Sequence, residues 1–189
     1  MQLEVQESKK AAELFQSTEM LGVKLQYSNR ELKKATNDST YLPSQLVYKT
    51  EDGISDSLKV QLRRRGNNRL ENCYFAPVKI KIKKDNAKKT LFKGNKNLKL
   101  VLPCLLQRDN NDNVIKEYIA YKLYEFVSPV HFKTRMVDLT YEEIKGKKKG
   151  RNIFCAEKNM PPSHCAGGFC GEYIRNIFFF YAGVDAPLK

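Results

Sequence analysis

Apolar and polar residues alternate in several short stretches of the chain, which is the pattern of strands with one buried face. The alternation is clearest in residues 57–65, 77–84 and 98–102, where the polar positions are mostly lysine and arginine. The stretches 23–27 and 132–141 predict two further strands. Together these stretches predict a mostly antiparallel sheet with one apolar face and one basic face.

Turn and cap signals connect these strands and predict two helices. The run 45–50 leads into Glu51-Asp52-Gly53, a turn sequence that predicts a hairpin with the strand that follows. Ser28 and Glu31 have the spacing of a capping box, which predicts a short helix to about Ala35. A longer helix is predicted from Val114 to about Val127, capped by Asp112 or Asn113. Its apolar residues form one broad stripe: Val114, Ile115, Tyr118, Ile119, Leu123 and Phe126.

These elements divide the chain into three parts. Residues 20–143 form an α+β unit, a curved and mostly antiparallel sheet with one principal helix packed against its apolar face. Residues 1–19 are expected to be a poorly ordered lead-in without a strong anchor. Residues 144–189 follow neither the helical nor the strand period, so we expect an irregular tail.

Positive charge is concentrated in one part of the sequence. The chain has 34 lysines and arginines against 21 acidic residues, a net charge of +13. Residues 58–108 hold fifteen basic and two acidic residues, so this segment alone accounts for an excess of thirteen. Such a field attracts a polyanion, a nucleotide phosphate or an anionic surface, although lysines on a solvated sheet face also serve solubility. No apolar run is long enough to span a membrane, and no signal peptide precedes the first strand.

The cysteines and histidines do not form a known catalytic pattern. Five cysteines without a regular spacing argue against a disulfide-rich secreted fold. Cys155, His164, Cys165 and Cys170 could supply four zinc ligands, but the adjacent His164-Cys165 pair departs from the usual ligand spacing. We therefore predict no metal site. Neither a nucleophile elbow nor a phosphate-binding loop of the Walker type is present.

The stretch Arg63-Arg64-Arg65-Gly66-Asn67 combines phosphate-binding side chains with a flexible backbone. The arginines can hold phosphate oxygens in pairs, and Gly66 allows a positive φ or the close approach of a ligand. A hairpin turn with exposed arginines explains the same residues equally well.

In its order of motifs the chain resembles the spore-coat-protein-H-like (CotH-type) atypical kinases, and most closely a group of exported bacterial proteins. The resemblance covers residues 20–143. It rests on Arg65-Gly66-Asn67 after a strand, the basic strand 75–81, the apolar strand 98–103 and the helix that carries Ile119-Ala120-Tyr121.

This resemblance implies the N-terminal lobe of a kinase, with ATP and Mg²⁺ as cofactors. In such a lobe a strand lysine contacts the phosphates and a helix carboxylate orients it. Lys81 is the lysine that the resemblance favours, with Lys79 as the alternative. Glu117 is the expected partner and Glu125 the second choice.

The family's catalytic aspartates have no counterpart here, because nothing after residue 143 resembles its C-terminal lobe. No catalytic base or metal ligand is therefore assigned. We expect the chain to be an inactive fragment of a longer protein, with a tail that comes from a frameshift or a gene-model error. The family resemblance predicts an exported or periplasmic protein if the N-terminus is incomplete.

Three functions follow from these observations. The first is the nucleotide-binding part of a CotH-like phosphotransferase. The second is a non-enzymatic binder of polyanions through residues 58–108, and the third is an exported surface-interaction module whose kinase-like fold has lost catalysis. Binding that falls steeply with salt would favour the second.

Overall fold

In the computed structural model, seven strands close into a barrel in the order β1-β2-β3-β4-β5-β7-β6. The structure describes residues 12–50, 52–66, 71–104, 109–144 and 176–182. The strands are β1 (Leu21–Gln26), β2 (Leu42–Lys49), β3 (Ser55–Arg64), β4 (Val78–Ile82), β5 (Asn97–Val101), β6 (Lys133–Glu142) and β7 (Asn176–Ala182). The stretches predicted as strands from the sequence lie in strands.

Most neighbouring strands run antiparallel, and the parallel pairing of β1 with β6 closes the barrel. The predicted hairpin between β2 and β3 is confirmed. Its turn contains Gly53 with a positive φ of 74°, which favours glycine. This turn sets the register of the two strands, so that Leu46 lies opposite Leu58 and Leu42 opposite Leu62.

The inner face of the barrel is the hydrophobic core. Leu25, Leu46, Leu62, Ile80 and Leu100 are among the residues that it buries completely. The intervening side chains of β3 and β4 point outwards and are largely basic, as the alternation predicts. The prediction of an α+β fold with a curved, mostly antiparallel sheet and one principal helix packed on it is confirmed.

Two of the helices are α1 (Asn29–Ala35) and the single turn α2 (Lys84–Ala87). Helix α1 begins where the capping box predicts it, because the Ser28 hydroxyl accepts a hydrogen bond from the Glu31 amide at 3.4 Å. Leu32 on this helix is fully buried in the core. The local signal thus determined the start of α1.

The principal helix is α3 (Asp109–Val127), which begins before the predicted caps Asp112 and Asn113. Acidic and amide residues are well tolerated in a first turn, where the helix dipole favours negative charge. The helix packs outside the barrel, where Val114 and its neighbours Tyr118 and Tyr121 meet Val101 of β5. The prediction that it covers the apolar face of the sheet is therefore wrong, because barrel closure fills that face with side chains from the strands themselves.

Residues 13–15 form a 3₁₀ turn that is anchored in the barrel, which corrects the expectation of a lead-in without an anchor. Leu14 is fully buried in the core. The buried guanidinium of Arg135 donates hydrogen bonds to the carbonyls of Leu14 at 3.0 Å and Glu19 at 3.1 Å. Local periodicity missed this anchor because it depends on β6, more than a hundred residues away. Residues 1–11 lie outside the described part of the chain.

Strand β7 corrects the expectation of an irregular tail for residues 176–182. It lies between β5 and β6, and Phe180 is fully buried in the core. Its sequence, Asn-Ile-Phe-Phe-Phe-Tyr-Ala, does not alternate because the strand has the barrel core on one side and α3 on the other. The rest of the expected tail, 145–175 and 183–189, lies outside the described residues.

Among the described residues, no helix is long and apolar enough to cross a membrane.

Candidate functional site

The outward side chains of β3, β4 and β5 form a basic face, which consists of Lys59, Arg63, Lys79, Lys81 and Lys99. The strand register places Arg63 opposite Lys79, and Lys79 opposite Lys99. Lys81 lies in the next outward row, between Gln61 and Asn97. Three cations therefore follow one another directly across three neighbouring strands.

Tyr41 stands at the edge of this basic face and is contacted by two of its cations. The guanidinium carbon of Arg63 lies 5.8 Å from the centre of the Tyr41 ring, and the ammonium of Lys81 lies 5.1 Å from it. Both distances fall in the range of cation–π interactions. Asp38, whose side chain is almost fully exposed, forms an ion pair with Arg63. The face thus combines an aromatic ring with an ordered array of positive charge.

Like charges directly opposite each other destabilise a sheet. Among the described residues, no carboxylate lies within ion-pair distance of Lys79 or Lys81. The Nε of Arg63 is buried, and no group in the described part of the chain accepts a hydrogen bond from it. An anion on this face would relieve the repulsion and would be held by several cations at once.

Lys81, the favoured phosphate ligand, and Lys79, its alternative, both lie on this face and point away from the barrel interior. The expected pairing with a helix carboxylate is absent for both lysines in the described part of the chain. Glu117 lies on α3, which contacts β6 and β7. Glu125, the second choice, binds Lys122 and Lys133 instead. A role of Lys81, Lys79 or Glu117 in nucleotide binding stays a prediction.

Arg65 and Gly66 follow the end of β3. The Arg65 amide donates a hydrogen bond to the Pro77 carbonyl at 2.9 Å, and Gly66 has the positive φ of 73° that its position suggested. Asn67 lies outside the described residues. The structure therefore places the backbone of Arg65 and Gly66 just beyond the row formed by Arg63 and Lys79.

A disulfide between Cys73 and Cys104 lies near the same end of the barrel. It joins the segment that precedes β4 to the segment that follows β5, and the Tyr74 amide donates to the Cys104 carbonyl at 2.7 Å beside it. The Lys33 ammonium donates to the Cys73 carbonyl at 2.6 Å and ties α1 to this junction. The count of five cysteines could not identify this pair.

A cleft of about 840 Å³ opens at the opposite end of the barrel, between the 3₁₀ turn, the β2–β3 hairpin and residues 88–93. Inside it the Tyr48 hydroxyl donates a hydrogen bond to Asp56 at 2.6 Å. Burial, together with this hydrogen bond to Asp56, raises the pKa of Tyr48 to about 12, so the phenol stays protonated at neutral pH. The lining mixes acidic and basic residues, and none of the predicted site residues lies there.

No family model, curated protein or solved structure matches this chain. Any function of the basic face or the cleft is therefore inferred from the side chains that form it. Within the described ranges, no three histidine, cysteine, aspartate or glutamate side chains form a group that could hold a metal ion. The zinc ligands considered from the sequence, from Cys155 to Cys170, all lie outside those ranges.

Tyr41 was not predicted as a site residue, although the sequence contains the information that places it beside Arg63. The register of the β2–β3 hairpin follows from the turn around Gly53, and it pairs Leu42 with Leu62. Counting one residue further places Tyr41 beside Arg63. The hairpin turn, read together with the strand alternation, was therefore enough to find the aromatic side chain of this site.

A cluster of ionic groups joins the end of α3 to the start of β6. Glu125 accepts a hydrogen bond from Lys122 at 3.2 Å and another from Lys133, and the Nε2 of His131 lies 3.7 Å away. Burial alone would raise the pKa of Glu125, but the hydrogen bonds and charges of the two lysines outweigh it and lower the pKa.

Glu125→Gln is expected to reduce the free energy of unfolding at pH 7 by about 1–3 kcal/mol, because it removes a carboxylate bonded to two ammonium groups. A lowered pKa in the folded state means that this contribution is present above the unfolded value of about 4.3 and is lost as the pH falls through the folded value. Urea unfolding at pH 7, 5 and 3.5 should therefore show the two proteins converging in acid. The exposed Glu71, changed to glutamine, is the control. A difference that does not shrink between pH 7 and pH 3.5 would contradict this explanation.

Proposed function

We propose that this protein is a non-enzymatic binder of polyanions, and that its ligand lies across the basic face. The observation that carries the proposal is the row Arg63, Lys79 and Lys99 on three neighbouring strands, with Lys81 and Tyr41 beside it. Electrostatic binding of a polyanion is driven largely by the release of its counterions, for which several clustered cations are needed.

The position of the lysines supports a ligand outside the barrel. Val78, Ile80 and Ile82 of β4 point inwards and are buried in the core, so the lysines of this strand lie on the outer surface. The outward row spans three strands, about 10 Å at the usual strand spacing. Arg63 at one end is paired with Asp38, and the Lys99 ammonium at the other end lies 5.2 Å from the centre of the Phe132 ring. An extended, repeatedly charged polymer contacts such a row at several points, whereas a single phosphate group contacts only part of it.

The aromatic ring adds a second mode of contact. Tyr41 is half-buried and already engages two cations, so its ring is held in place on the basic face. Bases of single-stranded nucleic acid stack on such rings for about 1–3 kcal/mol each. An acidic glycan would use the charges and depend less on the ring.

The test is fluorescence anisotropy with a labelled single-stranded oligonucleotide, with heparin and polyphosphate as competitors, between 50 and 300 mM salt. We expect affinity to fall steeply with salt. Lys79→Gln combined with Lys81→Gln should weaken binding by about 10- to 100-fold at low salt and reduce the logarithmic salt slope by about one to two.

The matched control is Lys34→Gln combined with Lys93→Gln, which removes the same charge from exposed positions outside the basic face. If both double variants lose affinity equally, net charge rather than the basic face governs binding, and the proposal fails. Tyr41→Leu distinguishes the ligand classes, because it should weaken the oligonucleotide complex much more than the heparin complex.

The nucleotide-binding part of a CotH-like phosphotransferase stays a prediction, and a parallel thermal-shift titration tests it. A rise in melting temperature that is specific to ATP with Mg²⁺ and is lost in Lys81→Ala would favour that function. Equal shifts with ATP and polyphosphate, both abolished by salt, would favour the polyanion binder.

A further inference from the structure

Helix α3 exposes a continuous apolar surface on the side that faces away from the barrel. We call it the apolar helix face, and it consists of Ile119, Leu123, Tyr124, Phe126 and Val127. Phe126 is 88% exposed, Val127 78% and Leu123 61%. Exposed apolar side chains are common one at a time, but a contiguous patch of this kind marks an interaction surface.

The spacing of these residues explains why they remain uncovered. The inward side of α3 carries Val114, Tyr118 and Tyr121, which pack against Val101. Ile119, Leu123 and Val127 follow one another at intervals of four residues, about half a turn away from that inward side. The helix thus has two apolar sides, and the barrel covers only one of them.

We propose that the apolar helix face is the interface of a homodimer, in which two copies of α3 pack antiparallel across a two-fold axis near Leu123. Ile119 and Val127 lie four residues before and four residues after Leu123. An axis at Leu123 therefore brings Ile119 of one copy against Val127 of the other. An isologous interface requires such self-complementary spacing.

The available area fits a dimer. An aromatic side chain offers about 150–250 Å² and the aliphatic ones lie near the lower end of that range, so the exposed fractions on the apolar helix face amount to roughly 600 Å² per copy. Two copies would therefore bury roughly 1,200 Å² in total, which is the lower limit of a standard-size interface. Each partner in an interface of standard size buries about 800 Å².

Charge also favours the antiparallel arrangement. The last turn of α3 carries no basic residue to offset the negative end of the helix dipole. Lys116 is exposed near the start of the apolar helix face. The same two-fold axis places Lys116 of one copy close to residue 130 of the other, just past that negative helix end.

Analytical ultracentrifugation of the full chain, from about 1 to 200 µM, tests the proposal. We expect a monomer–dimer equilibrium that strengthens as salt rises, because screening reduces the repulsion between two strongly basic chains. Leu123→Glu should raise the dissociation constant by about 30-fold or more. Ile54→Glu is the matched control, because Ile54 is equally exposed, at 66%, but lies in the β2–β3 turn. This control should leave the equilibrium unchanged.

Phe126→Asp provides a second disruption at a more exposed position, and a thermal melt of each variant confirms that it is folded. A photo-cross-linker at position 123 should join two copies directly. A wild-type chain that stays monomeric throughout, or a dimer unaffected by Leu123→Glu and Phe126→Asp, would overturn the proposal. A monomer that binds anionic vesicles through the same residues would overturn it in favour of a lipid surface.

Discussion

Phe180→Ala is expected to lower the free energy of unfolding by about 3–5 kcal/mol. Phe180 is fully buried, and its ring packs edge-on against Phe92 at 6.2 Å between centres. Phe92 in turn packs against Tyr48 at 5.0 Å, so one aromatic chain links β7 to β2 across the core. Removing the Phe180 ring leaves a cavity that the closed barrel cannot collapse to fill. Urea unfolding followed by circular dichroism measures the change.

Ile54→Ala, a truncation at an exposed apolar position, is the control and should change stability by less than about 0.5 kcal/mol. Equal stability of Phe180→Ala and the wild type would show that β7 does not complete the barrel. That outcome would strengthen the hypothesis that the tail comes from another reading frame. A large loss of stability would instead show that β7 belongs to the folded domain.

Replacing Cys73 and Cys104 together by serine is expected to cost about 3–4 kcal/mol of stability. The disulfide closes a loop with a sequence separation of 31, and opening it restores conformational freedom mainly to the unfolded chain. Cys73 is buried, so the substitution also places a serine hydroxyl in a buried site. Thermal and urea unfolding of the oxidised wild type and the double variant measure the effect.

Reductant should lower the stability of the wild type and leave the double variant unchanged. Thiol titration of the unfolded, oxidised wild type should detect fewer than the five thiols that the sequence contains. Detection of all five would show that the bond does not form. A stable disulfide is typical of oxidising compartments, and its presence would support the exported or periplasmic location that the family resemblance predicts.

The candidate site was partly predictable, because the sign and periodicity of its charge are local properties. Lys79 and Lys81 alternate with apolar residues, so the sequence predicted that both face away from the core. The residues beside these two lysines were harder to predict from the sequence. The position of Lys99 opposite Lys79 depends on the register of β4 with β5, which no short turn sets, whereas the position of Tyr41 follows from the register of the β2–β3 hairpin.

The sequence by itself determined the strands β1 to β6, the cap of α1 at Ser28 and the basic outer surface of β3 to β5. All of these follow from interactions within a few residues, namely alternating burial, turn formation at Gly53 and hydrogen bonding at a helix start. Only the tertiary structure decided that the sheet closes through β7, that Leu14 is anchored by Arg135, and that α3 lies outside the barrel. These features depend on contacts between residues far apart in the chain, which local periodicity does not encode. Closure filled the inner face with strand side chains, and for that reason α3 packs on the outside of the barrel, against Val101.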